Sequence, residues 1–337
     1  MESFDPHHAD EADLAGYFRV VRDSHLVDED RPGEPVPTFE DVVARLRRPF
    51  PGVGPAGHWV VRDAGGIVAF GYARFPEEEN SHLAVATVVV HPEHRRRGVA
   101  TRLLRAVLPR LRERGRTVIE DWRLVEGRPG TDWALRLGFR TVRALAPMVM
   151  AVADADRARW PVELPPGYRV ERWIGAAPER VVASYAAARS AIHDAPMGTT
   201  EFALPQWTVE RVRENEAELR AEDVEQRVVA AVHEATGEVV GLTEVVLLPR
   251  EPHTSHQGDT AVLAAHRGRG LGSALKGVMA HWLVEDHPDL EHMHTVTNAD
   301  NEHMIRVNRE LGMTAERTEL VVAHDVDALA ARLTDRG

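Results

Sequence analysis

Cysteine is absent from the 337 residues, and Lys276 is the only lysine. The first absence excludes disulfides, a thiolate nucleophile and any cysteine-based zinc or iron–sulfur site. Aromatic residues make up 6% of the chain, with only four tyrosines: Tyr17, Tyr72, Tyr168 and Tyr185. No apolar run approaches the ~18 residues that span a bilayer. The N-terminus, Met1-Glu2-Ser3-Phe4-Asp5-Pro6-His7-His8, lacks the apolar core of a secretory signal. A cytoplasmic protein without a membrane partner is the expectation.

Acidic residues number 53 against 41 basic ones, a net charge of −12. That balance argues against a nucleic-acid partner and mildly favours a cationic one. The length and the 43% hydrophobic content fit two soluble domains, each with its own core.

The chain repeats itself. Arg95-Arg96-Arg97-Gly98-Val99-Ala100 follows the apolar run Val85 to Val90 and opens a stretch with Val99, Leu103, Leu104, Val107, Leu108 and Leu111. Arg267-Gly268-Arg269-Gly270-Leu271-Gly272 follows Thr260 to Leu263 in the same way. It leads into Leu271, Leu275, Val278, Met279, Trp282 and Leu283. Both spacings put one apolar face on a helix. The copies are offset by 172 residues. Leu137-Gly138-Phe139 stands 40 residues after Gly98, and Leu311-Gly312-Met313 stands 42 after Gly270. Two landmarks in matched order indicate one domain present twice, at 1–155 and 165–337. Pro161, Pro165, Pro166 and Gly167 mark the join.

Within each copy, two helical stretches precede a strand pair: Ala12 to Ser24 and Phe39 to Arg48, then Glu179 to Ile192 and Trp207 to Glu222. The strand pairs are His58 to Arg62 with Ile67 to Phe75, and Arg227 to His233 with Val239 to Leu248. Asp28 to Thr38 and Pro49 to Gly57 read as loops. The class is α/β in the α+β sense: two tandem domains, each a mostly antiparallel sheet flanked by helices.

A strand that runs through a glycine turn into a helix exposes backbone N–H groups at the positive end of the helix dipole. That is a seat for pyrophosphate, to which neighbouring arginines add charge-assisted bonds. The same turn also serves as an ordinary helix start. It is neither Walker A nor the dinucleotide Gly-x-Gly-x-x-Gly.

Val90-x-Pro92-x-His94-Arg95-x-x-Gly98-x-Ala100 resembles the acyl-CoA pyrophosphate loop of the GNAT superfamily of N-acetyltransferases. Val262 to Gly272 is a second, divergent instance, and the pair is similar to the tandem, actinobacterial type. The resemblance implies acetyl-CoA as donor, no metal, and an amine of a small molecule or peptide as acceptor, in a monomer or homodimer. It also implies donor contacts at Val90, Arg95, Arg97, Gly98 and Ala100 in copy one. In copy two it implies them at Val262, Leu263, Arg267, Gly268, Arg269, Gly270, Leu271, Gly272, Asn298 and Asn301. An oxyanion-binding backbone N–H is expected near Val262 and Val90.

Three groups in copy two are candidate bases: Glu244 in the apolar strand, Asp259 and His256. Strand alternation puts Asp259 and His256, three apart, on opposite faces. Deprotonation through water is compatible with all three. Family members carry an acid tyrosine three residues before Leu-Gly-Phe; here Asn308 and Ala134 hold that place. An amide donates a hydrogen bond but no proton. Gly127 replaces Asn301 in copy one, so copy two is expected to be catalytic. Lys276 suggests a phosphate contact or a solvated helix residue. His292 and His294, two apart, share a strand face but lack an acidic partner at metal-site spacing. A non-catalytic acyl-CoA-binding module and a protein lysine acetyltransferase are the alternative functions.

Overall fold

The two apolar stripes form the two longest helices after the glycine turns. In the computed structural model, which describes residues 1–28, 36–47, 53–315 and 317–334, the first stripe is wholly buried. The first copy supplies β1 (Glu2–Phe4), α1 (Glu11–Asp28), α2 (Phe39–Arg47), β2 (Ala56–Asp63), β3 (Gly66–Arg74), β4 (Leu83–Val90), α3 (Val99–Glu113), β5 (Val118–Val125), α4 (Pro129–Arg136) and β6 (Arg140–Ala151). The second supplies β7 (Tyr168–Ile174), α5 (Val182–Arg189), α6 (Val209–Ala221), β8 (Glu225–His233), β9 (Val239–Leu247), β10 (Thr254–Val262), α7 (Leu271–Asp286), β11 (His292–Asn298), α8 (Glu302–Glu310), β12 (Thr314–Ala315), β13 (Glu319–Asp325) and α9 (Val326–Thr334). Most of the two expected loops, and Arg48, lie outside the described residues.

Two compact units result. Unit 1 comprises Met1–Ala144, Gly198–Ala203 and Glu319–Gly337; unit 2 comprises Leu145–Met197 and Leu204–Thr318. The duplicated motifs divide the chain at 155 and 165, whereas packing assigns the ends otherwise. The sheet of unit 1 runs β1-β2-β3-β4-β5-β13, parallel only between β4 and β5. The sheet of unit 2 runs β7-β8-β9-β10-β11 and ends on the Leu145–Ala151 stretch of β6, parallel only between β10 and β11. Each sheet is therefore closed by a strand encoded in the other copy.

That exchange carries core with it. Val322, Val326, Leu329 and Leu333, all from the C-terminal end, are fully buried in the unit 1 core against Leu103, Leu108 and Leu111. The proline-rich join is likewise packed within unit 2. Trp160 is buried and its Nε1–H donates to Leu311 O at 2.9 Å. A Cβ on Gly277 would lie 1.8 Å from Pro161 O, so only glycine admits this approach of the join to α7.

Lys276 departs from expectation. It is 3% exposed, turned into the unit 2 core rather than toward solvent or the start of α7. Burial alone lowers its ammonium from 10.5 to about 7.

Two outcomes follow from this packing. Ending the chain after Thr318 removes β13 and α9, so limited proteolysis should cleave within 56–144 of unit 1; resistance there would refute the exchange. Lys276→Met should stabilise unit 2. Between pH 7 and 10.5 the unfolded chain binds a proton that the folded one refuses, so wild-type stability rises with pH over that window. The substitution should remove that slope and add roughly 4 kcal/mol at pH 7, read from denaturant midpoints at pH 7 and 9.5. An unchanged slope would refute it.

Candidate functional site

In unit 2 the parallel pairing of β10 with β11 covers only Thr254–His256 against His292–His294. Beyond His256, β10 continues to pair with β9 on its other edge, and β11 with β6 on its own. The two strands thus part and leave a gap. The Leu263 N–H donates to Val240 O at 2.9 Å, on the β9 side. Successive N–H groups of an extended chain point to opposite edges, so the Val262 N–H points into the gap. Unit 1 repeats this: β4 and β5 pair only over Leu83–Val85, and the His91 N–H donates to Val68 O at 3.0 Å. Val90 holds the place of Val262.

At the open end of the gap, α7 starts on Gly270 with φ +78, after Gly268 with φ +74. A Cβ at either would meet nothing within 4 Å, so it is the left-handed backbone, and not crowding, that selects glycine. In unit 1, Gly98 starts α3 at φ +72, but Arg96 sits at φ +62 where the other copy has Gly268. Leu271 is buried at the start of α7, while Gly272 and Ala100 are half-buried in the first turns.

Two of the expected phosphate-binding arginines are otherwise engaged. Arg267 Nε donates to Val262 O at 2.8 Å and its guanidinium pairs with Asp194. Arg95 Nε donates to Val90 O at 3.0 Å and its Nη2 to Asp28 at 2.8 Å. They tie the loop to the strand. Arg97 is exposed, and Arg269 lies 6.0 Å from the Tyr168 ring. Arg269 and Gly270 line a groove of about 680 Å³ with Arg159, Leu164, Ser273 and Val307.

A bulge shapes the middle of β10. Gln257 opposes Val245 and Thr260 opposes Thr243, so Gly258 and Asp259 together hold one extra residue. Gln257 Nε2 donates to Thr243 Oγ1 at 2.9 Å and to Glu244 O at 2.5 Å, and the Thr243 and Thr260 hydroxyls meet at 2.7 Å. The extra residue inverts the alternation. Asp259 and His256 therefore share a face, contrary to the expectation from their spacing.

Glu244 is buried as expected, but its carboxylate is fully partnered. Tyr185 Oη donates to Oε1 at 2.6 Å and Arg189 Nη2 to Oε2 at 3.0 Å. Burial raises its pKa while Arg189 opposes the rise. Arg189 is itself buried, with its guanidinium carbon 3.3 Å from the centre of the Trp207 ring. Asp259 is half-buried, and no hydrogen bond to its carboxylate forms among the described residues. Desolvation raises its pKa, with Arg189 and then His193 pulling it down. His256 lies in β10, and its Nε2 meets Glu251 at 2.6 Å.

Asn308 is fully buried; its Nδ2 points at Met148 Sδ at 3.6 Å and its Oδ1 has no partner. Asn298, at the end of β11, donates to Pro196 O at 2.5 Å, and its Oδ1 is also buried without a partner. Two orphaned acceptors suit the two amide N–H groups of a pantetheine arm. Asn301 instead caps α8, its Oδ1 accepting from the Met304 N–H at 3.1 Å.

Unit 1 places a carboxylate on the opposite strand. Asp121 of β5 accepts from Thr87 Oγ1 of β4 at 2.9 Å, and burial raises it to about 7. That bond spans the two parting strands. Ala134 and Gly127 supply no polar side chain here.

His292 and His294 have ring centres 6.1 Å apart. His91, Glu93 and His94 bring possible ligand atoms within 4.8 Å of one another, but His91 Nε2 already meets Asp23 at 2.9 Å. No described helix is long and apolar enough to cross a membrane.

Arg189 and Tyr185 were not legible as site residues, and Lys276 was legible only as a phosphate contact or a solvated residue, not as a buried one. Arg189 had one signal, a lone charge within the small-residue run Ala186-Ala187-Ala188.

The profile of the Acetyltransferase (GNAT) family matches residues 23–139 and again 191–313. The mycothiol acetyltransferase of Pseudarthrobacter chlorophenolicus is 29% identical over 242 residues, 70% of this chain and 69% of that one. That of Mycolicibacterium vanbaalenii is 26% identical over 291 residues, 81% and 88% respectively. Among solved structures, a tandem GNAT protein from the clavulanic acid biosynthesis pathway aligns with a TM-score of 0.74 at 23% identity, covering 96% of this chain and 97% of its own. A GCN5-related N-acetyltransferase from Sphaerobacter thermophilus gives 0.71 at 17%, covering 96% and 95%. With its glycine turn, parted strands and helix start each present twice, and both copies matched, the chain belongs to the GNAT acetyltransferase family as a tandem member.

Proposed function

We propose that unit 2 transfers an acetyl group from acetyl-CoA to the primary amine of a small molecule, by direct attack with no acyl-enzyme. The β10 bulge carries this reading. It sets Asp259, a carboxylate without a hydrogen-bond partner and with a raised pKa, beside the gap into which the Val262 N–H points.

The groups divide the work as follows. The exposed N–H groups at Gly268 to Gly270, with Arg269 nearby, would hold the donor's phosphates. Asn298 and Asn308 would accept from its arm. The Val262 N–H would bind the carbonyl oxygen as charge grows on it, a contact that elsewhere contributes roughly 10²–10³ in rate. Asp259 would take the proton from the acceptor ammonium. Glu244 serves as Arg189's counter-ion, and Arg189 opposes the rise that desolvation imposes on the Asp259 pKa.

The choice of unit 2 is supported by the bond between Thr87 and Asp121 across the corresponding strands of unit 1. The name shared by the curated relatives makes mycothiol's free-amine form the first acceptor to test.

Thiol release from acetyl-CoA against an amine panel, with product masses, tests the activity. Wild-type rate should rise with pH through a midpoint above the ordinary carboxylate value of about 3.9. Asp259→Asn should lower kcat by ~10²-fold or more and abolish that limb while leaving acetyl-CoA affinity within about twofold. Full rate in Asp259→Asn would remove it as the base. Gly270→Glu should abolish donor binding by calorimetry, since it puts a side chain and a negative charge at the phosphate seat; undiminished binding there would move the donor site elsewhere.

A further inference from the structure

Among the described residues of unit 2, Lys276 is a buried ionisable side chain with no ion pair. It lines a cavity of about 10 Å³ with Met150, Val245, Ser255, Gln257, Met279 and Met293. None of these neighbours, drawn from β6, β9, β10, β11 and α7 itself, can titrate. The cavity has room for about one water, and Lys276, Ser255 and Gln257 are the polar residues that line it. Ser255 and Met293 are register partners, one residue short of where β10 and β11 part. Lys276 thus sits at the closed end of the gap, on the helix whose N-terminus opens the other end.

We propose that Lys276 supplies the proton taken by the coenzyme A sulfur when the thioester breaks. This rests on unit 2 being the acetyl-CoA site. As the carbon–sulfur bond breaks, its electron pair stays on sulfur. An Nζ–H bond of the ammonium breaks, an S–H bond forms, and the lysine is left as a neutral amine. Solvent then returns a proton to the amine, restoring the ammonium with no net change in the enzyme.

The energetics favour this group. An ordinary lysine near 10.4 gives its proton to a thiolate of about 8.5 uphill by roughly two units. With its ammonium lowered to about 7, Lys276 gives it downhill. Both forms are populated near neutral pH, so the group can cycle. Asn308, an amide, has no proton to give.

The uniqueness of Lys276 makes the test direct. Full-length protein labelled with ¹³C at lysine Cε should show one titrating signal. Its midpoint should lie near neutral, and saturation with coenzyme A should raise it by at least about half a unit. Desulfo-coenzyme A, which has the same arm without the sulfur, should leave it unmoved. Lys276→Met should lower kcat ~10-fold or more with the KM for acetyl-CoA within about twofold. A midpoint near 10, or equal midpoints with the two coenzymes, overturns the proposal. If calorimetry shows that neither coenzyme binds, the donor site of unit 2 falls, and the proposal falls with it.

Discussion

The parting of two parallel strands in the middle of a sheet is the constraint on which the rest depends. Backbone N–H and C=O groups in a sheet interior demand partners, and unmet ones are costly. Here β10 and β11 keep three paired positions and then separate, though each stays paired on its other edge, β10 with a bulge at Gly258 and Asp259. The unmet groups face one gap. A ligand with amide and carbonyl groups along an extended arm meets that demand. The strand register thus specifies the polarity of the ligand before any side chain does.

The remaining features hold the gap open or equip its ends. Arg95 and Arg267 each reach back to the strand carbonyl five residues earlier and pair with a carboxylate, so the same lock is built twice. Those arginines shape the loop, which in the proposed reading leaves the phosphates to the backbone N–H groups. The bulge is locked by Gln257, Thr243 and Thr260 on one face, which frees Asp259 on the other. A buried ion pair such as Glu244–Arg189 gives little net stability after desolvation, but breaking it leaves a bare charge. Its value here is placement: Arg189 lies between Glu244, the Trp207 ring and Asp259.

The helical stripes and glycine turns were legible because their cause is local. Apolar spacing gave α3 and α7, and a strand–glycine–helix sequence gave the loop. The bulge was not legible, because one extra residue in β10 is defined only against β9, and it reverses which residues share a face. The burial of Lys276 was hidden for a related reason. Leu275, Lys276 and Met279 are all buried, so α7 is enclosed on more than one side, which a single stripe does not reveal. The exchange of β6 and β13 was invisible too, since a strand's own pattern shows that one face is buried but not against which neighbours.

The two copies show what duplication permits. Both keep the gap, the turn and a half-buried carboxylate with a raised pKa, but the carboxylate has changed strands: Asp259 on β10, Asp121 on β5. In unit 1 the partner threonine lies across the gap, and its bond to Asp121 substitutes for a ligand. In unit 2 no such bond holds Asp259, and two amide oxygens stay orphaned. A site that satisfies itself gains stability, while one left wanting keeps its free energy for the ligand. The copy with the unmet groups, and with a lysine that weakens its own core, is the one whose cost is explained by chemistry.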